Sequence, residues 1–321
     1  MAQAVSGARP RVDRATLLAW TRDYGVYAGV AAIVLFNIVF TPNFLSPENF
    51  RVQAVQVAPV LIVALGMALV IATGGIDLSV GAVMALSASA IALYLGYGPV
   101  VAILVALVLG AAAGAVNGLL VAFAGIQAII ATLALMIGGR GLALVLVPQL
   151  QGIRNPDFRA LGSGAFLGIP YVVWIAAVLV AVVVFLVRRT VFGRGLVAIG
   201  GNRRAAELSG LPVRRTLLLV YVLCGVLAAV AGVLTSARLQ ASDPNSVGVL
   251  IELSAITAVV VGGTPLTGGR VRIAGTIAGA VLMQLLVATL IKHDLPPSWT
   301  QMAQAAVIIG AVYLARDRRR T

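Results

Sequence analysis

The sequence predicts an all-α polytopic transmembrane bundle of about ten spans with glycine-rich broken helices and an internal repeat. Three observations predict it. The 321 residues are 61% hydrophobic and 10% charged, and mean hydropathy is +1.06. A soluble domain carries about 25% charged residues. Apolar runs near the ~20 residues that cross a bilayer core recur along the whole chain. The 35 glycines suit helices that must approach closely in lipid.

Taken in order, residues 1–23 form a cytoplasmic N-terminal segment with Arg9, Arg11, Arg14 and Arg22. The first apolar run, Tyr24–Thr41, ends in "IVFTPNF" without small cleavage-site residues, so it reads as an uncleaved span. Further spans are Gln53–Thr73, Leu78–Tyr97, Val100–Ala124, Ala128–Val147, Tyr171–Val187, Thr216–Ala237, Leu250–Val261, Ile273–Ile291 and Trp299–Ala315. They fill a membrane domain over 24–315, with a basic loop at 188–215 and a tail at 316–321. Leu250–Val261 is short for a full crossing, and its glycine-rich ending reads as a broken helix. Glycines recur at helical spacing at Gly110, Gly114 and Gly118, and at Gly275 and Gly279, marking tight helix contacts.

Arginine placement sets the expected orientation. Of 23 basic residues, four precede the first span, seven lie from Arg188 to Arg215, and four (Arg316, Arg318, Arg319, Arg320) close the chain. Basic clusters flanking apolar spans follow the positive-inside rule, which puts both termini and the 188–215 loop in the cytoplasm. The net charge of +13 therefore points to membrane topology. With no compact basic domain, nucleic acid is excluded as a partner.

The interruption "GGIDLSVGAV" at Gly74–Val83 has a second copy in "GGTPLTGG" at Gly262–Gly269. Aligning Gly74 with Gly262 matches Gly75 with Gly263, Leu78 with Leu266, Ser79 with Thr267, and Gly81 with Gly269. Each copy joins the end of one apolar run to the start of the next. Duplicated half-units with broken helices are a common transporter plan. Glycine lets the backbone leave helical geometry, and the freed polar groups then need protein or a water-lined cavity. Asp77 fits an N-cap of the following helix, with Thr264 or Thr267 taking that part in the second copy. Asp77 equally fits a polar group beside a translocation path.

Other polar residues in or beside spans are Asn117, Gln127, Thr132, Arg140, Asn245, Glu252 and Gln284. A charge inside the bilayer is costly unless paired or able to snorkel. Arg140 should therefore face protein or water, with Asp77 or Glu252 as possible partners, or else snorkel. These residues are candidates for lining the path.

In the cytoplasmic loop, "NRRAAELSG" reads as a short helix with Asn202 as N-cap, Gly210 as stop and Pro212 beyond it. Ala205, Ala206 and Leu208 would offer a small apolar face to a partner's groove. A surface helix held on the membrane by arginines is the other reading.

Absences narrow the chemistry. The one lysine is Lys292, so no GxxxxGK[ST] phosphate loop exists. One histidine (His293) and one cysteine (Cys224, in an apolar run) make no metal cluster, and no cofactor site is expected. No serine sits in a GxSxG context. The chain reads as a transport component rather than an enzyme, and its few intramembrane acids offer no obvious ion-coupling site.

Several long stretches in order carry a family resemblance over roughly Phe44 to Arg316. They are "GGIDLSVGAVMAL", "NGLLVAFAGI", "GRGLVAIGGNRRAAELSG", "SDPNSVGVLIELSAITAVVVGGTPLTGGR" and "GTIAGAVLMQ". The chain resembles the permease subunit of bacterial ABC importers for monosaccharides, the ribose/galactofuranose class. "NPDFRALGSGAFLGIP", "ELSAITAVVVGG" and Pro296–Pro297 look most like galactofuranose permeases. Two places depart from the class: Ala128 and Ile129 stand where Pro-Phe is usual, and Pro265 where Ser is common.

The resemblance implies a cell inner membrane protein working with a cytoplasmic ABC ATPase, an extracytoplasmic sugar-binding protein, and a second permease copy or sister permease. It makes Asn202–Gly210 the coupling helix, with Asn202, Ala205, Ala206, Glu207 and Gly210 carried over and Arg203 and Arg204 available to acidic groups on the ATPase. Alternatives are an ABC permease for nucleosides or branched-chain amino acids, an ion-coupled secondary carrier, and a structural scaffold, the last disfavoured by the repeated breaks.

Overall fold

The computed structural model describes residues 14–315. Residues 1–13, with Arg9 and Arg11, and the 316–321 tail with its arginines lie outside the described residues. The fold is all-α: thirteen α-helices among the described residues and four two-residue strands.

Helices α1 (Arg14–Phe40) and α2 (Pro47–Ala72) come first. Ser46 caps α2 by accepting the Asn49 N–H at 3.2 Å, with Pro47 at the first helical position, where no N–H is needed. After the first break come α3 (Val80–Tyr94), α4 (Pro99–Ala122) and α5 (Ala128–Leu146). The next stretch holds β1 (Gln151–Gly152), α6 (Pro156–Ser163), β2 (Ala165–Phe166) and β3 (Ile169–Pro170). Then follow α7 (Tyr171–Arg189), α8 (Val191–Gly201), α9 (Arg203–Leu208) and α10 (Val213–Leu239). Strand β4 (Ala241–Ser242) pairs antiparallel with β1, and β2 with β3. Helices α11 (Ile251–Val261), α12 (Ile273–Lys292) and α13 (Pro297–Ala315) complete the order.

Seven helices among the described residues are long and apolar enough to cross a membrane: α2, α3 with the short turn after it, α4, α5, α7, α10 and α12. The expected total of ten is larger because it included short or partly described pieces. The apolar part of α1 is Tyr24–Phe40, and α11 has 11 residues. At 1.5 Å per residue, α11 covers about half of a ~30 Å core. It starts at left-handed Leu250 (φ 57) and ends at the second break, so it is a half-length helix bounded by irregular backbone.

The interior is built around α2 and α10. In α2, 72% of the spanning window is buried, against 17% in α5 and α7. A helix apolar all round belongs in the centre, and one with a single buried face at the periphery. The glycines at helical spacing explain how α10 packs so closely. Gly110, Gly114 and Gly118 of α4 lie against Gly225, Tyr221 and Leu218 of α10, and a Cβ at Gly114 would overlap the Tyr221 carbonyl. Gly275 and Gly279 likewise admit the backbone of α11 at Gly262 and Ala258. Cys224 is a buried free thiol beside Gly66 of α2.

Candidate functional site

Both glycine-rich breaks end a helix in the same way. After α2, the N–H of Gly74 donates to Ile71 O at 2.9 Å and that of Gly75 to Val70 O at 3.2 Å. After α11, the N–H of Gly263 donates to Val260 O at 2.9 Å and that of Thr264 to Val259 O at 3.1 Å. Gly74 has φ +82 and Gly263 φ +87, the left-handed residue that closes such a helix end. The equivalent pair is therefore Gly74 and Gly263, not Gly74 and Gly262. The pairing of glycine dipeptides is corrected by one residue, because the left-handed position sets the register.

The two breaks touch. The Gly269 N–H donates to the Ala72 carbonyl at 3.0 Å. A Cβ on Gly268 would lie 2.7 Å from the Gly74 nitrogen. Gly200, near the end of α8, packs on the same junction: a Cβ there would overlap both the Ala72 carbonyl and the Gly269 nitrogen.

Asp77 is buried beyond the first break. One carboxylate oxygen accepts from the Ser79 N–H at 2.9 Å and from the Ser79 hydroxyl at 2.6 Å. This corrects the N-cap expectation. Asp77 forms a turn two residues ahead, and the cap position itself is Ser79, whose side chain makes no cap bond. The buried Asn117 of α4 donates through Nδ2 to Ser79 Oγ at 2.9 Å. Thr132 of α5 donates to Ala128 O at 2.9 Å and lies 3.4 Å from Ile76 O. Asp77, Ser79, Asn117 and Thr132 thus hold α3, α4 and α5 around the break.

Tyr221 and Cys224 of α10 pack beside the first break, Tyr221 against Gly75 and Cys224 against Gly66 of α2, and neither had been assigned a site role. The Tyr221 hydroxyl and Asn117 Oδ1 are buried without partners. Gly75 leaves room for that hydroxyl, since a Cβ there would lie 2.6 Å from it. Only long-range packing brings α10 here, so no local pattern announces Tyr221.

In the second break, buried Thr264 accepts the Arg272 N–H at 3.0 Å, just ahead of α12. Thr267 is exposed and places its carbonyl beside Gly74.

Arg140 and Glu252 meet elsewhere, around Gly81 at the start of α3. Arg140 Nη1 donates to the carbonyls of Pro244 and Val247, each at 2.7 Å. Glu252 Oε2 is buried without a hydrogen bond. Measured from a Cβ built on Gly81, Glu252 Oε2 is 2.7 Å and Arg140 Nη2 3.4 Å away. No Arg140–Glu252 ion pair within 4.0 Å forms. Arg140 is thus fastened to loop carbonyls and makes no ion pair with Asp77. Asn245 is exposed in that loop and accepts no part in the cluster; its N–H donates to Asp243. Gln127 is exposed at the start of α5 and makes no cap bond, so it stands apart.

Directly after α8, Asn202 caps α9 by accepting the Ala205 N–H at 3.0 Å. Gly210 follows the helix with φ +77, and the Leu211 N–H reaches back to Ala206 O. Arg203 pairs with Glu207 at 3.3 Å within the helix, while Arg204 is exposed. Ala206 is buried against Ile199, Val213 and Leu217, so the expected outward face loses it. Ala205 and Leu208 remain outside, Leu208 at 81% exposure.

Residues 49–312 match the family described as branched-chain amino acid transport system / permease component. The chain is 41% identical to the ribose import permease protein RbsC of Escherichia coli K12, over 90% of this chain and 93% of that one. It is 40% identical to the galactofuranose transporter permease protein YtfT of the same strain, over 82% and 78%. The fructose import permease protein FruF of Bifidobacterium longum is 40% identical over 78% and 72%. No solved structure matches the chain.

Proposed function

The chain belongs to the family described as branched-chain amino acid transport system / permease component, and from that premise we propose that it is the membrane subunit of an ABC importer for a monosaccharide. The relatives named for ribose, galactofuranose and fructose support the substrate class. In this reading the α9 end of the bundle, both termini and the basic loop face the cytoplasm, as the arginine clusters favour. A separate ATPase grips α9, a binding protein delivers sugar at the other end, and a second permease completes the path.

The observation that carries the reading is the position of Gly200. It lies on the junction where the two breaks hydrogen-bond, and α9 begins three residues later. Asn202 holds the helix start and buried Ala206 seats it on α8 and α10. Movement of α9 is therefore transmitted through α8 to the backbone of both breaks. Such coupling works only if each ligand prefers one of two arrangements. Sugar affinity belongs to the binding protein, and the path needs only weak polar contacts, among them Asp77, Asn117, Arg140 and Glu252.

A branched-chain amino acid cargo is the second reading, favoured by the family description. Titrating the partner binding protein with free sugars and with leucine, isoleucine and valine separates the two. Submicromolar binding of a monosaccharide alone supports the sugar importer, and binding of the amino acids alone replaces it.

A further inference from the structure

The end of the bundle away from α9 holds an arrangement that the transport reading does not use. A cavity of about 320 Å³ lies between the first turns of α2, the end of α6, strand β3 and the last turn of α10. Arg51 and Arg238 line it together with Val52, Val55, Ser163 and Pro170, and no carboxylate does. Arg238 Nε is buried and has no partner. Arg51 reaches only the Ser163 carbonyl, at 3.5 Å. The Arg203–Glu207 ion pair lies at the opposite end.

A cation in the last turn of α10 suits the helix dipole. That accounts for the sign of the charge but not for its direction. A surface arginine extends its guanidinium into water, whereas Arg238 keeps a buried, unpartnered Nε beside a cavity that a second arginine also lines. Two guanidiniums around one cavity with no acid between them call for an anion from outside the chain. Their forked donors match the oxygens of a phosphate.

We propose that the Arg51–Arg238 cavity binds a phosphate group, that of an anionic phospholipid headgroup at the membrane surface. The walls are half apolar, through Val52, Val55 and Pro170, as suits a glycerol backbone entering beneath the phosphate. Directly after Pro170, α7 begins with exposed Tyr171 and Trp174, aromatic residues of the kind that settle at headgroup level. Below them Val178, Val182 and Phe185 continue an exposed apolar stripe at helical spacing. An acyl chain lying along that stripe would place its headgroup at the cavity. A protein carboxylate would use the arginines but not the stripe.

The site stands apart from the transport function and is tested on the purified chain in detergent. Thermal unfolding is followed with added phosphatidylglycerol, phosphatidylcholine or inorganic phosphate. Phosphatidylglycerol raises Tm and phosphatidylcholine does not. Arg238→Gln and Arg51→Gln each weaken the apparent phosphatidylglycerol affinity about fivefold. Equal stabilisation by millimolar inorganic phosphate, with the same arginine dependence, supports the phosphate site and makes its source soluble. Arg51 is on the exposed rim, so Arg51→Gln carries the test if Arg238→Gln fails to fold. An unchanged phosphatidylglycerol response in both variants overturns the proposal. So does a variant that keeps its lipid response but loses affinity for an acidic partner protein.

Discussion

Gly269 donates its backbone N–H to the carbonyl of Ala72 at 3.0 Å, so the two glycine-rich breaks are joined across almost two hundred residues of chain. Neither break is a loose loop. Each is a helix end whose glycine N–H groups bond back to the last-turn carbonyls, Gly74 and Gly75 to Ile71 and Val70 and Gly263 to Val260. Gly200 lies on that bond, which places α8 between the breaks and α9.

Gly200→Ala tests that placement, because the added methyl has no room at Ala72 and Gly269. Its neighbour Gly201 has nothing within 4 Å of a built Cβ and is the control. The expected result is a folded Gly200→Ala protein whose transport falls by about tenfold, a loss of about 1.4 kcal/mol in coupling, with Gly201→Ala near normal. The measurement is uptake per ATP hydrolysed in the assembled transporter.

The glycines of the first break have separate tasks. Gly74 needs its left-handed backbone, while Gly75 needs to be small because a Cβ there would lie 2.6 Å from the Tyr221 hydroxyl. Gly75→Ala should lower stability by about 1–3 kcal/mol through overpacking. Tyr221→Phe removes a buried hydroxyl that has no partner, so alone it should cost little. The double variant should recover much of the loss, as read from the Tm values of all three proteins.

Some helix ends were legible because they are local. Asn202 before the short basic helix is a capping pattern, and that cap forms; the Ser46 cap starts α2 at Pro47, six residues ahead of the expected Gln53. The bundle class was legible from composition, and the α4 and α12 contacts from glycine spacing. The repeat was visible, but its register slipped by one because a glycine dipeptide does not say which glycine takes positive φ. Asp77 was singled out, yet its turn bonds to Ser79 and its neighbour Tyr221 depend on how α10 packs. Arg140 was known to need partners, but loop carbonyls more than a hundred residues away leave no trace in its own segment.

Arg140 makes a further prediction. Its two carbonyl bonds pin the loop between α10 and α11, where Gly248 and Leu250 both have positive φ. Bonds to a charged donor contribute about 1.5–3 kcal/mol each. Arg140→Gln should therefore speed amide exchange across 243–250 by about tenfold or more, and reduce uptake with it. Arg140→Lys keeps the charge but not the fork and should fall between. Glu252→Gln should leave loop exchange near normal, because no Arg140–Glu252 ion pair is formed.

On α9, Glu207→Arg removes an exposed pair to Arg203 that contributes only about 0.3–0.5 kcal/mol. The fold should be unaffected. Leu208→Asp changes a side chain that touches little of its own protein. Both variants should keep the wild-type Tm and lose ATPase binding in a pull-down with the purified subunit. Wild-type binding by both would remove α9 from the interface.

The most direct test is reconstitution into sealed vesicles, with and without the ATPase subunit and the sugar-loaded binding protein. Uphill sugar accumulation that needs ATP and both partners is the predicted result. Accumulation by this chain alone, on an ion gradient and without ATP, would contradict the account.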